Sequence, residues 1–217
     1  MLAVTYDTRE NSLKAGLVSS RGTDWGAISG VLLCISWAPM AIVILRLPDL
    51  GSAAEVERFW RENLGLVQAV IVSTSIGFIF LLVFLGGLAE RLQRVDAALA
   101  FTAFGSGLMF MTGLSVALGL DVASGLLHAP ATPVGAAFFV AVAFAAFRRN
   151  VFSRPLAWLA VVGVLANIGA VGGVFSLSGP LNSGNGVIGG IAAPLGLYLA
   201  WILAASISWL RQPAKCV

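Results

Sequence analysis

Six long apolar stretches without a single charged residue constrain this chain more than any other feature. They cover residues 25–45, 64–88, 97–120, 133–147, 155–176 and 186–210. A bilayer core about 30 Å thick is crossed by about 20 helical residues, and inside it every backbone amide must be paired within the protein. Apolar runs of this length without strict alternation therefore predict helices. With 59% hydrophobic and 11% charged residues, the chain has too little polar surface for a water-soluble globule.

We therefore predict an all-α fold, a polytopic transmembrane bundle of six spans. It occupies one domain, residues 25–210, between cytoplasmic tails at residues 1–24 and 211–217. The first tail lacks the apolar core of a signal peptide. The fourth stretch is short, because fifteen residues rise only about 22 Å. That helix must either begin near Ala129 or form a re-entrant segment.

The basic residues predict the orientation of the bundle, since cytoplasmic loops carry an excess of Lys and Arg. Ten of the thirteen basic residues fall on one side of the predicted membrane, so both termini are expected in the cytoplasm. Trp25, Trp158 and Trp209 fall at the same boundary, where indole rings prefer to lie. The excess of Arg over Lys, with abundant Ala and Gly, is typical of a GC-rich bacterial genome and suggests an inner-membrane location. The excess of basic residues on the predicted cytoplasmic side explains the net charge of +3. No nucleic-acid partner is therefore predicted.

The loops on the opposite side contain the candidates for acid–base chemistry. Residues 49–63 predict a short amphipathic helix lying on the outer membrane surface, with Trp60 on its apolar side and Glu62 near its end. Asp121 and His128 are seven residues apart and share a helical stripe if the helix reaches that far. A carboxylate and an imidazole there could shuttle a proton. Alternatively, both are ordinary surface residues.

Polar and aromatic residues inside the apolar stretches are the candidates for ligand contact. Trp37 precedes Pro39, where a proline kink could open a cavity with Trp37 and Trp60 in its wall. Gln68 and Asn167, together with the run at residues 73–75, can either bond across a helix interface or contact a ligand. No cluster of His and Cys suggests a metal, and no motif suggests a cofactor, so none is predicted.

Close helix packing is predicted where small residues recur at four-residue spacing. Gly26 and Gly30 form such a pair in the first stretch. In lipid, helices associate through this kind of close backbone approach.

Three segments carry a resemblance to a known group of proteins. Residues 84–94 read FLGGLAERLQR, residues 154–163 read RPLAWLAVVG and residues 199–210 read LAWILAASISWL, and the acidic segment at 53–63 fits the same pattern. The chain resembles a large group of bacterial six-helix integral membrane proteins that share a domain of unknown function. The resemblance implies a six-helix membrane fold and carries over no catalytic or binding residue.

Three classes of function follow from these features. The first is a non-catalytic accessory subunit or a binder of a lipid or another hydrophobic small molecule. Such a protein would contact the bilayer and a membrane-protein partner or further copies of itself. The alternative is a membrane-embedded, cofactor-independent cyclase, isomerase or hydrolase acting on a terpenoid or polyketide, with Asp121, His128 and Glu62 as acid–base residues. A transporter ranks third, because the spans contain no inverted repeat and no paired broken helices.

Overall fold

A computed structural model describes residues 24–46, 53–124, 132–172, 180 and 192–211. The regular secondary structure of these residues is entirely helical, which confirms the predicted all-α class. The helices are α1 (Trp25–Arg46), α2 (Ala53–Glu62), α3 (Leu64–Gln93), α4 (Ala97–Ser124), α5 (Thr132–Arg149), α6 (Arg154–Gly172) and α7 (Ala192–Arg211).

The six long helices pack as a closed ring. α1 packs on α3, and α3, α4, α5, α6 and α7 follow one another around the ring until α7 returns to α1. The short helix α2 packs on α3. Closure means that each long helix has a neighbour on both sides and presents one face to the ring interior.

Glycines set the close and antiparallel contact between α1 and α3. A Cβ atom on Gly26 would lie 3.3 Å from the Cα atom of Gly87, while further along the same two helices Trp37 lies against Gly77. Gly30 leaves room for Phe84 and for Ser206 of α7. The predicted packing role of Gly26 and Gly30 is therefore confirmed. Larger residues at either position would separate α1 from its neighbours.

Several helix ends differ from the sequence-based prediction, and α4 continues to Ser124, four residues beyond the predicted end at residue 120. α3 continues to Gln93, five residues beyond the predicted end at residue 88. α5 is one continuous helix of 18 residues that rises about 27 Å. It gains length at its arginine end. Ala129 lies outside the described residues, so the choice between an earlier start and a re-entrant segment stays a prediction. α1 runs without a break through Pro39.

The outer surface of the ring carries many apolar side chains. Within the described residues, α3 and α7 are long and apolar enough to cross a membrane. In the most apolar part of α3 only 33% of the residues are buried, whereas the core helix of a soluble protein would be mostly buried. Large apolar side chains are exposed around the ring, among them Ile35, Ile71, Ile79, Phe101, Met109, Leu165 and Ile168.

Candidate ligand-binding site

Aromatic side chains fill the ring interior. Tyr198 of α7 is fully buried, and its ring lies 5.0 Å from that of Phe110 and 4.9 Å from that of Phe138. Trp201 is also fully buried and donates its indole N–H to the carbonyl oxygen of Leu156 at 3.1 Å. These contacts join α4, α5, α6 and α7. The interior around these rings is therefore packed. A polar atom at its edge has only a few groups within reach as hydrogen-bond partners.

Two buried polar atoms at or beside the contact between α1 and α3 have no hydrogen-bond partner among the described residues. Trp37 is fully buried, packs edge-on against Phe78 at 5.8 Å and touches Gly77, where a Cβ atom would overlap the indole. Its Nε1 atom has no hydrogen-bond partner among the described residues, and neither has the buried hydroxyl of Thr74. Thr74 lies one helical turn from Gly77, on the same face of α3. We call Trp37, Thr74, Gly77 and Phe78 the α1–α3 seam.

An unpaired buried polar group is costly, and the seam contains two of the five such atoms found among the described residues. Leaving an indole N–H or a hydroxyl without a partner inside a protein costs about 1–3 kcal/mol for each group. Buried polar atoms in native proteins are nearly always paired. A bound water or the polar group of a ligand would remove this cost at the seam.

Asn167 of α6 forms a second, smaller polar site. Its side-chain nitrogen donates to the carbonyl oxygen of Gly163 at 2.8 Å, which is a bond within its own helix. Its Oδ1 atom is buried and has no partner among the described residues. This oxygen faces Gly135 of α5, close to the ring of Phe110. The side-chain nitrogen of Asn167 therefore bonds within α6, whereas the side-chain oxygen can accept a hydrogen bond from another group.

The helix α2 brings one predicted site residue to the bundle and leaves another in solvent. Trp60 packs against the buried core and against Phe59, with ring centroids 5.6 Å apart. Its buried Nε1 atom also has no partner among the described residues. Glu62 is exposed at the end of α2. Arg61 forms an ion pair with Glu57 along the same helix.

The remaining predicted site residues lie apart from the seam. Gln68 is exposed on α3, which places it on the outside of the ring. The backbone of Asp121 lies in the last turn of α4, but its side chain and all of His128 fall outside the described residues. Within the part of the chain that the structure describes, no group of three or more His, Cys, Asp or Glu residues could hold a metal ion.

One polar cluster was missed by the sequence analysis. At one end of the ring, Arg91 of α3 forms an ion pair with Asp24, and its guanidinium carbon lies 3.9 Å from the ring centroid of Trp209. Trp209 is buried at this end of the ring, whereas Trp25 and Trp158 are exposed. Their position at a membrane boundary stays a prediction. The available signal was an acid directly before the first apolar stretch and a base directly after the second.

Comparison with known proteins gives no match, since neither a protein-family model nor a curated protein nor a solved structure is similar to this chain.

Proposed function

We propose that the protein is a six-span membrane protein of a bacterial inner membrane that binds a lipid or another hydrophobic small molecule at the α1–α3 seam. In this proposal both termini lie in the cytoplasm, α2 lies on the outer surface and no cofactor is required. The apolar outside of the six-helix ring supports membrane insertion. The unpaired atoms of Trp37 and Thr74 support binding.

The charges at the two ends of the ring support this orientation. One end carries more basic than acidic groups among the described residues, namely Arg91, Arg94, Arg148, Arg149, Arg154 and Arg211 with Asp24, Glu90 and Asp96. The other end has no basic excess, with Arg46, Arg58 and Arg61 against Glu55, Glu57, Glu62 and Asp121. The positive-inside rule assigns the first end to the cytoplasm.

The chemistry of the seam restricts what can bind there. The indole N–H of Trp37 only donates, so its partner must be an acceptor such as a carbonyl, ester or hydroxyl oxygen. Thr74 can donate or accept. Trp37 is thirteen residues from Asp24, which places it about 20 Å along α1 from the charged end. A molecule reaching this depth must be mainly hydrophobic, with an oxygen that meets Trp37 and Thr74.

A non-catalytic role is favoured over the acid–base alternative. The seam residues Trp37, Thr74, Gly77 and Phe78 include no group that titrates near neutral pH. Glu62, proposed from the sequence as an acid, is exposed on α2 and not directed into the packed interior. Catalysis by Asp121 and His128 stays a prediction, as does membership of the group that the sequence resembles.

Native mass spectrometry of the protein purified in mild detergent tests this proposal, combined with extraction of the bound molecules. The variants Trp37→Phe and Thr74→Val each remove one hydrogen-bonding group while keeping most of the side-chain volume. The controls Trp25→Phe and Thr102→Val make the same changes at exposed positions. One buried hydrogen bond corresponds to a roughly 3- to 10-fold change in affinity.

We expect a bound molecule in stoichiometric amount in the native protein and in both controls, with reduced retention in Trp37→Phe and Thr74→Val. Equal retention in all four variants would show that the seam is not the site. Recovery of bulk lipid alone, or of a second polypeptide without a small molecule, would favour the accessory-subunit role instead.

A further inference from the structure

Three exposed arginines flank the turn between α5 and α6, namely Arg148, Arg149 and Arg154. Asn150 adopts a left-handed conformation with φ of 52°, and its N–H donates to the carbonyl oxygen of Ala146 at 3.1 Å. Phe152, in the middle of the turn, is buried and packs on Trp201 with ring centroids 5.4 Å apart. The backbone of a turn anchored in this way loses little further entropy when a ligand binds, so the ordering cost falls on the arginine side chains.

These arginines are not neutralised by the protein. Arg148, Arg149 and Arg154 are exposed, and no ion pair is found for them among the described residues. By contrast, Arg91 and Arg94 at the same end are paired with Asp24 and Glu90. The sequence contains no Asp or Glu at all after Asp121. The neighbouring helices α5, α6 and α7 therefore supply no carboxylate to this corner of the ring.

Exposed aromatic rings lie directly beside the arginines. Phe147 and Trp158 pack edge-to-face at 5.5 Å, and both are about half exposed or more, at 47% and 61%. The guanidinium carbon of Arg148 lies 5.7 Å from the ring centroid of Phe144, which is also exposed. On α5 no polar residue separates the arginines from the apolar surface, so the cationic groups border directly on it.

We propose that this corner binds an anionic glycerophospholipid. The phosphate group would accept hydrogen bonds from the guanidinium groups of Arg148, Arg149 and Arg154, which match phosphate oxygens in geometry and charge. The acyl chains would lie along Phe147 and Trp158. A free phosphate ion would use the arginines alone and leave the adjoining aromatic surface unexplained. The site depends on the proposed membrane insertion, but not on a ligand at the α1–α3 seam.

The test compares two triple variants with the same change in charge. R148Q/R149Q/R154Q removes the arginines of this corner, and R46Q/R58Q/R61Q removes three arginines at the other end of the ring. Each purified protein is titrated in detergent with phosphatidylglycerol and with phosphatidylcholine, and native mass spectrometry gives the ratio of the two bound lipids. Circular dichroism establishes that both variants remain helical.

We expect the native protein to prefer phosphatidylglycerol. Each arginine near an anionic lipid surface contributes about fivefold, so the first triple variant should lose that preference by tenfold or more, and the second by less than twofold. The double variant Phe147→Ala/Trp158→Ala should weaken retention of both lipids.

Three results would overturn the proposal. The first is an absence of lipid preference in the native protein. The second is an equal loss of preference in the two triple variants. The third is displacement of phosphatidylglycerol by millimolar inorganic phosphate, which would identify a simple anion site. Because these measurements concern the exposed arginine corner, they do not depend on whether Trp37 and Thr74 contact a bound molecule.

Discussion

The guanidinium group of Arg91 lies over the indole ring of Trp209, 3.9 Å from the ring centroid, and it also pairs with Asp24. A second nitrogen of Arg91 donates to the carbonyl oxygen of Gly87 at 3.1 Å. Phe84 stacks on the same indole with ring centroids 5.4 Å apart. One side chain of α3 therefore connects the start of α1 to the end of α7 and closes the ring at this end.

Substitution of Arg91 by Gln should lower the stability of the ring. The change removes both a cation–π contact and an ion pair whose side chains are each 29% exposed. Together these contacts contribute about 1–2 kcal/mol. Thermal unfolding in detergent measures the effect. Arg94→Gln is the matched control, since Arg94 pairs with Glu90 along one helix with 73% and 68% of the two side chains exposed. It should cost about 0.5 kcal/mol or less. Equal losses would contradict a special role for Arg91.

Replacement of Gly77 by Ala should open the α1–α3 seam. The new methyl group would overlap the indole of Trp37 and the hydroxyl of Ser36, and overpacking of this kind costs about 1–3 kcal/mol. Gly86→Ala, on the same helix, is the control because nothing lies within 4 Å of its Cβ position. That change should be neutral or stabilising by up to about 1 kcal/mol. Unfolding of both variants in detergent provides the comparison. Equal stability of the two variants would show that α1 and α3 can move apart at the seam without loss of stability.

The positions of the helices could be predicted more accurately than their ends. A long apolar run predicts a helix wherever lipid is the solvent, but the first charged residue does not end the backbone hydrogen bonding. α3 continues past that point to Gln93, and the pair between Glu90 and Arg94 at 2.6 Å stabilises the added turn. A prediction based on hydropathy finds the span and misses this extension.

The sequence does not indicate which face of each helix points into the ring. This limited the prediction of the site residues. A helix that is apolar all round has no amphipathic signal that orients it. Trp37 and Asn167 were identified because they are aromatic or polar in apolar surroundings, and both are buried. Gln68 fits the same description and is exposed. Tyr198 was missed, since its place at the centre of the ring depends on contacts with Phe110 and Phe138 from distant parts of the chain.

Tyr198 should contribute mainly through its ring and little through its hydroxyl. The hydroxyl donates to the carbonyl oxygen of Gly107 at 3.4 Å, which is long for an O–H donor. Tyr198→Phe should therefore cost about 1 kcal/mol or less. Tyr198→Ala would leave a cavity among Phe110, Phe138 and Phe139 and should cost about 3–5 kcal/mol. Chemical unfolding in detergent separates the two. A Phe variant as unstable as the Ala variant would show that the hydrogen bond dominates.

Labelling of single cysteines should establish the number and direction of the membrane crossings. In a background with Cys34→Ala and Cys216→Ser, a membrane-impermeant maleimide should label Ser153→Cys in inside-out vesicles and Glu57→Cys in intact cells. The expectation follows from the arginine excess at the end of the ring that contains Ser153 and from the absence of a basic excess on α2.

The control for this experiment is Leu165→Cys, at a position on α6 that is 64% exposed. If lipid surrounds the ring, this cysteine reacts from neither side, because the exposed face of α6 lies in hydrocarbon. Reaction of Leu165→Cys with the impermeant reagent would place water there and contradict membrane insertion of α6. Labelling of Ser153→Cys and Glu57→Cys from the same side would contradict the six-span arrangement. Labelling of each cysteine from the side opposite to the expected one would keep the six-span arrangement and reverse its orientation. Only the positive-inside rule assigns that orientation.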